Sequence, residues 1–274
     1  MQHLILIADY GDDDLASTEA VLATRRQTTV DFTVDVVATR PFNTIHTAFL
    51  LDQLHRGVPS DRGSEYTFFL NTDPRTQTED GVHAAEGAPL VIATLDSGVR
   101  VVTPNAGLCL SLVRNRITSL ALAHCDAAGS QFRSRDLFPT VVAAILNGDT
   151  ASVTGNLLSI ERVPTMPPDF VLLHTDNYGN MKTSFTARDR EKLGLTWGAE
   201  VQVHFAGKSM RVPVVENIFA KPAGTLVFAP GSSGDPANPF FEFSLRYSGN
   251  CTSSAASIFG NPEPGSDIEF QKNT

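Results

Sequence analysis

The sequence predicts an α/β protein in two parts. The first is an N-terminal α/β/α domain with a parallel-rich sheet, and the second is a smaller all-β, barrel-like domain. Three observations lead to this reading. Short apolar runs alternate with helical periodicities over about the first 150 residues, the signature of a sheet covered by helices. Pro164, Pro167 and Pro168 then interrupt the alternation. After them, strand-like segments follow one another with turns between. The expected boundaries are residues 1–155 for the α/β domain, 156–169 for a linker and 170–274 for the β-barrel domain.

Each element has a local reason. Leu4-Ile5-Leu6-Ile7-Ala8 is a continuous apolar run too short for a helix, so it reads as a buried strand. A helix follows from Leu15 to about Arg26, with Ala16, Ala20, Leu22 and Ala23 on its apolar face. Residues 30–37 alternate and are rich in β-formers. Pro41-Phe42-Asn43 opens a second helix through Ile45, Ala48, Phe49, Leu51 and Leu54. Strands are expected at 66–70, 90–95 and 100–103. Pro104-Asn105-Ala106-Gly107 turns into a helix through Leu108, Leu112 and Val113, and a strand at 117–123 follows. A helix at 137–146 is closed by Asn147-Gly148. Beyond the prolines, strands are expected at 171–174, 181–185, 200–205, 209–214, 225–228 and 240–247. The Gly-, Ser- and Pro-rich stretch 230–239 reads as a loop.

Charge and cysteine usage exclude several classes. The formal net charge is −9 and no Lys/Arg run occurs, which argues against a nucleic-acid partner. The cysteines Cys109, Cys125 and Cys251 are far apart and odd in number, which is neither a disulfide framework nor a zinc spacing. The seven histidines show no metal spacing, so no metal is expected. Met1-Gln2-His3 leads straight into a strand, so neither a signal peptide nor a membrane span is expected. A cytoplasmic protein with reduced thiols is the resulting expectation.

The turn behind the first strand carries Asp9, Asp12, Asp13 and Asp14. It lies at the carboxyl end of a strand, where open α/β sheets bind ligands. Its charge is the opposite of a phosphate cradle and suits hydroxyls, ammonium or sulfonium groups, or a hard cation. On its own the turn is equally a solvated cap for the helix that begins near Leu15. Likewise Asp176-Asn177-Tyr178-Gly179 is, on composition alone, an ordinary β-turn.

Taken in order, several polar turns resemble the S-adenosyl-L-methionine (SAM) hydroxide adenosyltransferases and the related SAM-dependent halogenases. Asp9-Tyr10-Gly11 with Asp14 is similar to that family's opening motif. Phe42-Asn43 resembles its aromatic-acid pair, with Asn for Asp. Asp73-Pro74, Pro104-Asn105-Ala106-Gly107-Leu108 and Phe132-Arg133-Ser134-Arg135-Asp136 resemble its later turns. Asp176-Asn177-Tyr178-Gly179-Asn180 and Ser232-Ser233-Gly234 follow in the second domain. The resemblance spans nearly the whole chain, and its specificity lies in the ordered set.

The resemblance implies a SAM hydrolase that yields adenosine and methionine, with SAM as substrate and no cofactor. Asp9 would accept both ribose hydroxyls, as a carboxylate can. Asp14 and Asp176 would pair the methionine ammonium. Asn180 would hydrogen-bond the adenine edge with Phe42 and Phe219 as walls, Tyr178 would join the substrate-binding set, and Ser232 and Ser233 would hold the methionine carboxylate. In the catalytic set Asp73 would help generate the hydroxide, Arg133 could attract an anion, and Thr76 and Ser134 match halogenase-like polar positions. The family also implies a homotrimer, its site formed by one subunit's large domain and the neighbour's β domain. The sequence departs from the hydrolytic pattern at two positions. Asp80 stands at the family's catalytic Arg position and Arg133 at its His position. An Arg is no general base near neutral pH. Two alternatives follow: a non-catalytic adenosyl-ligand binder, and a halogenase, against which the retained Asp73 argues.

Overall fold

The computed structural model describes residues 1–10, 15–74, 87–125, 132–247 and 253–272, and the chain divides into two units, Met1–Met166 and Pro167–Thr274. In the first unit, the apolar run near the N-terminus forms strand β1 (Gln2–Ala8). Its alternate side chains go to opposite faces, as the pleat requires. Leu4, Leu6 and Ala8 join one core cluster, while Ile5 and Ile7 join another. Both faces are therefore buried, which is why this strand reads as a continuous run rather than an alternation. Leu6 and Ile7 have no exposure, and burial of each contributes about 2 kcal/mol.

Helix α1 (Leu15–Gln27), strand β2 (Phe32–Ala38), helix α2 (Thr44–Arg56) and strand β3 (Tyr66–Asn71) follow. Then come β4 (Leu90–Leu95), β5 (Arg100–Pro104), β6 (Ile117–Ala123), α3 (Arg133–Asp136), α4 (Phe138–Leu146), α5 (Thr150–Val153) and β7 (Thr154–Leu157). The sheet order is β2-β1-β3-β5-β4-β6-β7. The β2-β1-β3-β5 half is parallel, and the pairings of β4, β6 and β7 are antiparallel. One face packs on Phe138, Val141, Val142 and Ile145 of α4 and Ala20 of α1, and the other on Leu51 of α2 and Val113. Helices thus cover both faces, as expected.

Two local readings change. The segment after Gly107 is a 3-10 helix at Ser111–Arg116 rather than an α-helix, in the short span that joins β5 to β6. Residues 156–166, expected within a linker, belong instead to the first unit. There β7 pairs with β6, and Arg114 Nε donates to the Val163 carbonyl at 2.9 Å.

The second unit contains β8 (Phe170–Thr175), β9 (Met181–Thr186), α6 (Ala187–Lys192), β10 (Glu200–Phe205), β11 (Lys208–Pro213), β12 (Leu226–Asp235), β13 (Asn238–Leu245), α7 (Ala255–Phe259) and β14 (Asp267–Lys272). The sheet runs β11-β10-β14-β8-β9-β13-β12 and is antiparallel. It curls until Val214, just past β11, bridges Phe228 of β12, giving the barrel-like form. Rings fill the interior: Phe185, Phe228, Phe241, Phe243 and Phe259 are almost wholly buried. The stretch 230–239 is not a loop. It forms the end of β12 and the start of β13, with a register shift between Pro230 and Gly234. A bulge on a strand at the end of the sheet order tolerates a proline that cannot donate to the ladder. Among the described residues, no helix is long and apolar enough to cross a membrane.

Candidate functional site

In the first unit, a cleft of about 290 Å³ is lined by Asp9, Phe42, Asn71, Asp73, Pro74, Phe132, Arg133, Ser134 and Phe138. Parallel strands place the first of these. Asp9 follows β1, Asn71 ends β3, and the Asp9 N–H donates to the Asn71 carbonyl at 3.2 Å. The cleft therefore stands at the carboxyl ends of adjacent parallel strands. A buried polar set backs it. Thr39 Oγ1 and the Arg40 N–H both bond His46 Nδ1, at 2.9 and 3.0 Å, and Thr47 Oγ1 bonds Thr72 Oγ1 at 2.8 Å. Asn43 caps α2 by accepting the His46 N–H, so the Asn of the aromatic-acid pair has a structural task.

Phe42 sits between these parts in a left-handed conformation, φ 60°, uncommon for a residue with a side chain. Its N–H donates to Asp9 Oδ2 at 3.1 Å, and the residue is 68 % exposed beside the cleft. The strained backbone thus serves to hold the carboxylate.

Asp73 and Arg133 come together from separate segments. The Ala88 N–H donates to Asp73 Oδ2 at 2.9 Å, and Arg133 Nη2 donates to the Ala88 carbonyl at 2.9 Å. The guanidinium carbon lies 4.9 Å from the centre of the Phe138 ring. Burial raises the Asp9 pKa, the charge of Asp73 raises it further, and the Phe42 N–H opposes both. Burial also pushes the Cys109 thiol well above its usual range, with Asp73 and Asp9 acting the same way. Cys109 is therefore no nucleophile.

A raised folded-state pKa means that the native chain holds the Asp9 proton more tightly than the unfolded one. Stability is then lost as pH rises from about 4 through the raised value. Asp9→Asn keeps an acceptor for the Phe42 N–H and removes the buried charge. It is expected to raise Tm at pH 7, with the gain vanishing at pH 4. Thermal melts of both proteins at the two pH values check this, and an equal shift at both would contradict it.

The second unit holds the remaining expected residues. Asp176 closes its turn: Oδ1 accepts the Tyr178 and Asn180 N–H groups at 2.9 and 3.0 Å. Oδ2 accepts Asn180 Nδ2 at 3.1 Å and Lys182 Nζ at 3.2 Å. Burial would raise its pKa, but the Asn180 N–H and the Lys182 ammonium prevail and hold it below the ordinary value. A carboxylate offers about four acceptor sites, and all are taken. Asp176 as placed can accept a ligand ammonium only by releasing a partner. Tyr178 is 84 % exposed, and Phe219 is exposed with the Arg246 guanidinium 5.7 Å from its ring centre. Ser232 is exposed; Ser233 is buried, and its Oγ has no partner among the described residues. A larger concavity, about 720 Å³ at the ends of β8, β10 and β14, contains none of the expected residues. Asp14 and Thr76 lie outside the described residues, as do Asp12, Asp13, Asp80 and Cys251. The Pro104–Leu108 turn does not line the cleft: Gly107 packs on Thr44, whose Oγ1 accepts the Leu108 N–H.

Sequence reasoning missed Gly87, Ala88, Phe138, Lys182 and Glu242. Gly87 adopts φ +71°, for which a glycine before Ala-Pro is a faint signal. Lys182, two residues past Asn180 on an alternating strand, has a clearer one. Among the described residues, no group of three or more His, Cys, Asp or Glu is placed to hold a metal.

These features define a class: a two-unit protein whose α/β part has an acidic, aromatic-rimmed cleft with one guanidinium beside a carboxylate. Two solved structures share the architecture. One, described as an uncharacterized conserved protein from Thermotoga maritima, has a TM-score of 0.73 and 18 % identity, over 98 % of this chain and 100 % of that one. The other, a conserved hypothetical protein from Thermus thermophilus, has a TM-score of 0.68 and 19 % identity, over 99 % and 100 %. At such identities the likeness is one of fold. No family model matches the chain, and no curated protein matches it.

Proposed function

We propose that this protein is a SAM hydrolase. Water forms a bond to ribose C5′, the C5′–sulfur bond breaks, and methionine leaves as a neutral thioether; adenosine and one proton complete the balance. The observation that carries this reading is the convergence of Asp9, Phe42, Asp73, Arg133 and Ser134 on one cleft, since these come from separate motifs of the resemblance. Asp9 takes the ribose diol and Phe42 walls the ligand. Asp73 orients the water and receives its proton. Arg133 stabilises the developing hydroxide and does not act as a base. Tyr178, Asn180 and Phe219 serve adenine, and Asp176, Ser232 and Ser233 the methionine end, within a cytoplasmic homotrimer. The sulfonium is a good leaving group, so positioning supplies most of the rate.

A second reading, an adenosyl-ligand binder without turnover, is favoured by Arg133 standing where the family has its His. Incubation with SAM, with and without chloride or fluoride, followed by chromatography of the nucleosides and methionine, separates the readings. Equal amounts of adenosine and methionine, independent of halide, are expected. A rise in Tm with SAM but no adenosine above a buffer blank supports the binder; neither response removes both.

A further inference from the structure

We infer that the Gly87-Ala88 dipeptide is the positioning element that sets Asp73 and Arg133 against each other, an inference that rests on the hydrolase reading for its catalytic consequence. One short piece of main chain touches both side chains: the Ala88 N–H bonds Asp73 Oδ2 and the Ala88 carbonyl accepts Arg133 Nη2, each at 2.9 Å. Gly87 is the close-approach point. A Cβ there would stand 2.5 Å from Asp73 Oδ2 and 2.7 Å from Arg133 Nη1. Both charged ends thus reach the same small volume, and only a residue without a side chain leaves it open. The backbone also takes φ +71°, which glycine adopts without cost. Bonds to charged groups are about twice as strong as neutral ones. Main-chain dipoles fixed in this way do not reorganise during a reaction. The dipeptide touches no substrate atom in this scheme; it acts through the pair.

Gly87→Ala tests this, with Gly148→Ala as the control. Gly148 has φ +83° but nothing within 4 Å of a Cβ, so its variant carries the backbone strain without the collision. Gly87→Ala is expected to lower kcat for adenosine formation by about 10- to 100-fold with KM changed less than twofold, as a displacement of about 1 Å does. Gly148→Ala is expected to leave both constants unchanged. In an Arg133→Ala background, Gly87→Ala should cost no further activity, because the two act as a unit. A thermal cycle gives a readout independent of turnover. The Tm loss of Gly87→Ala should exceed that of Gly148→Ala in the native background, and the excess should disappear when Asp73 and Arg133 are both replaced by Ala. An excess that persists without both side chains, or an undiminished kcat, overturns the positioning role. If the native protein makes no adenosine while the thermal cycle behaves as described, the brace stands and the hydrolase reading falls.

Discussion

Replacing Lys182 by methionine is expected to destabilise the β unit by about 3 kcal/mol at neutral pH. Lys182 Nζ lies 3.2 Å from Asp176 Oδ2 and 2.8 Å from Glu242 Oε2, and its side chain is only 12 % exposed. Glu242 is buried as well, with Oε1 accepting Ser244 Oγ at 2.8 Å. Gly231 makes room for it: a Cβ there would meet Glu242 Oε2 at 2.6 Å. Two carboxylates thus depend on one ammonium, and methionine would fill its volume while leaving both without a counter-charge. Removing one partner of a buried pair costs about 3–5 kcal/mol; partial exposure of Asp176 places this case at the lower end. The pH dependence has a definite sign. Asp176 has a folded-state pKa below its ordinary value, so its contribution is present above about pH 4 and is lost as pH falls through the folded value. The difference between the native protein and Lys182→Met should therefore shrink on acidification below about pH 4. Guanidinium unfolding at pH 7 and pH 3, followed by fluorescence, measures it. The one tryptophan, Trp197, stacks near Phe241 and Arg190 and reports on the β unit alone. A loss below 1 kcal/mol, or one that grows in acid, would show that the ammonium is not holding these carboxylates.

Arg133→Ala is expected to lower kcat/KM for adenosine formation by about 10²- to 10³-fold, the usual loss when one preorganised charge-stabilising donor is removed. Asp73→Asn should lose a comparable factor. The double variant should lose little more than either single one, because groups that act together are not additive. Arg133→Lys should not restore the rate. The guanidinium bonds the Ala88 carbonyl through Nη2 and packs over Phe138, and an ammonium cannot reproduce both contacts. Initial rates of adenosine release give all four values. Arg133→Ala within twofold of the native protein would remove the guanidinium from the mechanism.

Parts of the site were legible because their chemistry is local. A strand must deliver Asp9 to a loop, and the polar turns at 71–76 and 132–136 carry residue types a ligand can use. Gly87-Ala88 was not legible. Its importance comes from a carboxylate and a guanidinium brought there from positions 73 and 133. Asp176 was legible as a ligand candidate and as a turn former alike. The structure shows the turn role, with Lys182 supplying the fourth bond to its carboxylate.

The sequence by itself determined the two-part architecture and most elements, because period, turn residues and proline placement are short-range signals. The strands β4 (Leu90–Leu95), β6 (Ile117–Ala123) and β10 (Glu200–Phe205) fall on the expected residues. Only the tertiary structure decided that β4, β6 and β7 pair antiparallel in a sheet expected to be parallel-rich, since a period of two is the same for parallel and antiparallel neighbours. It alone seated Thr154–Leu157, polar and mostly exposed, as β7 beside β6. It alone drew 226–235 into one strand across a bulge. And it alone joined Asp9, Asp73 and Arg133 in one cleft, because the crossovers of a sheet, not spacing along the chain, bring distant loop residues to a common edge.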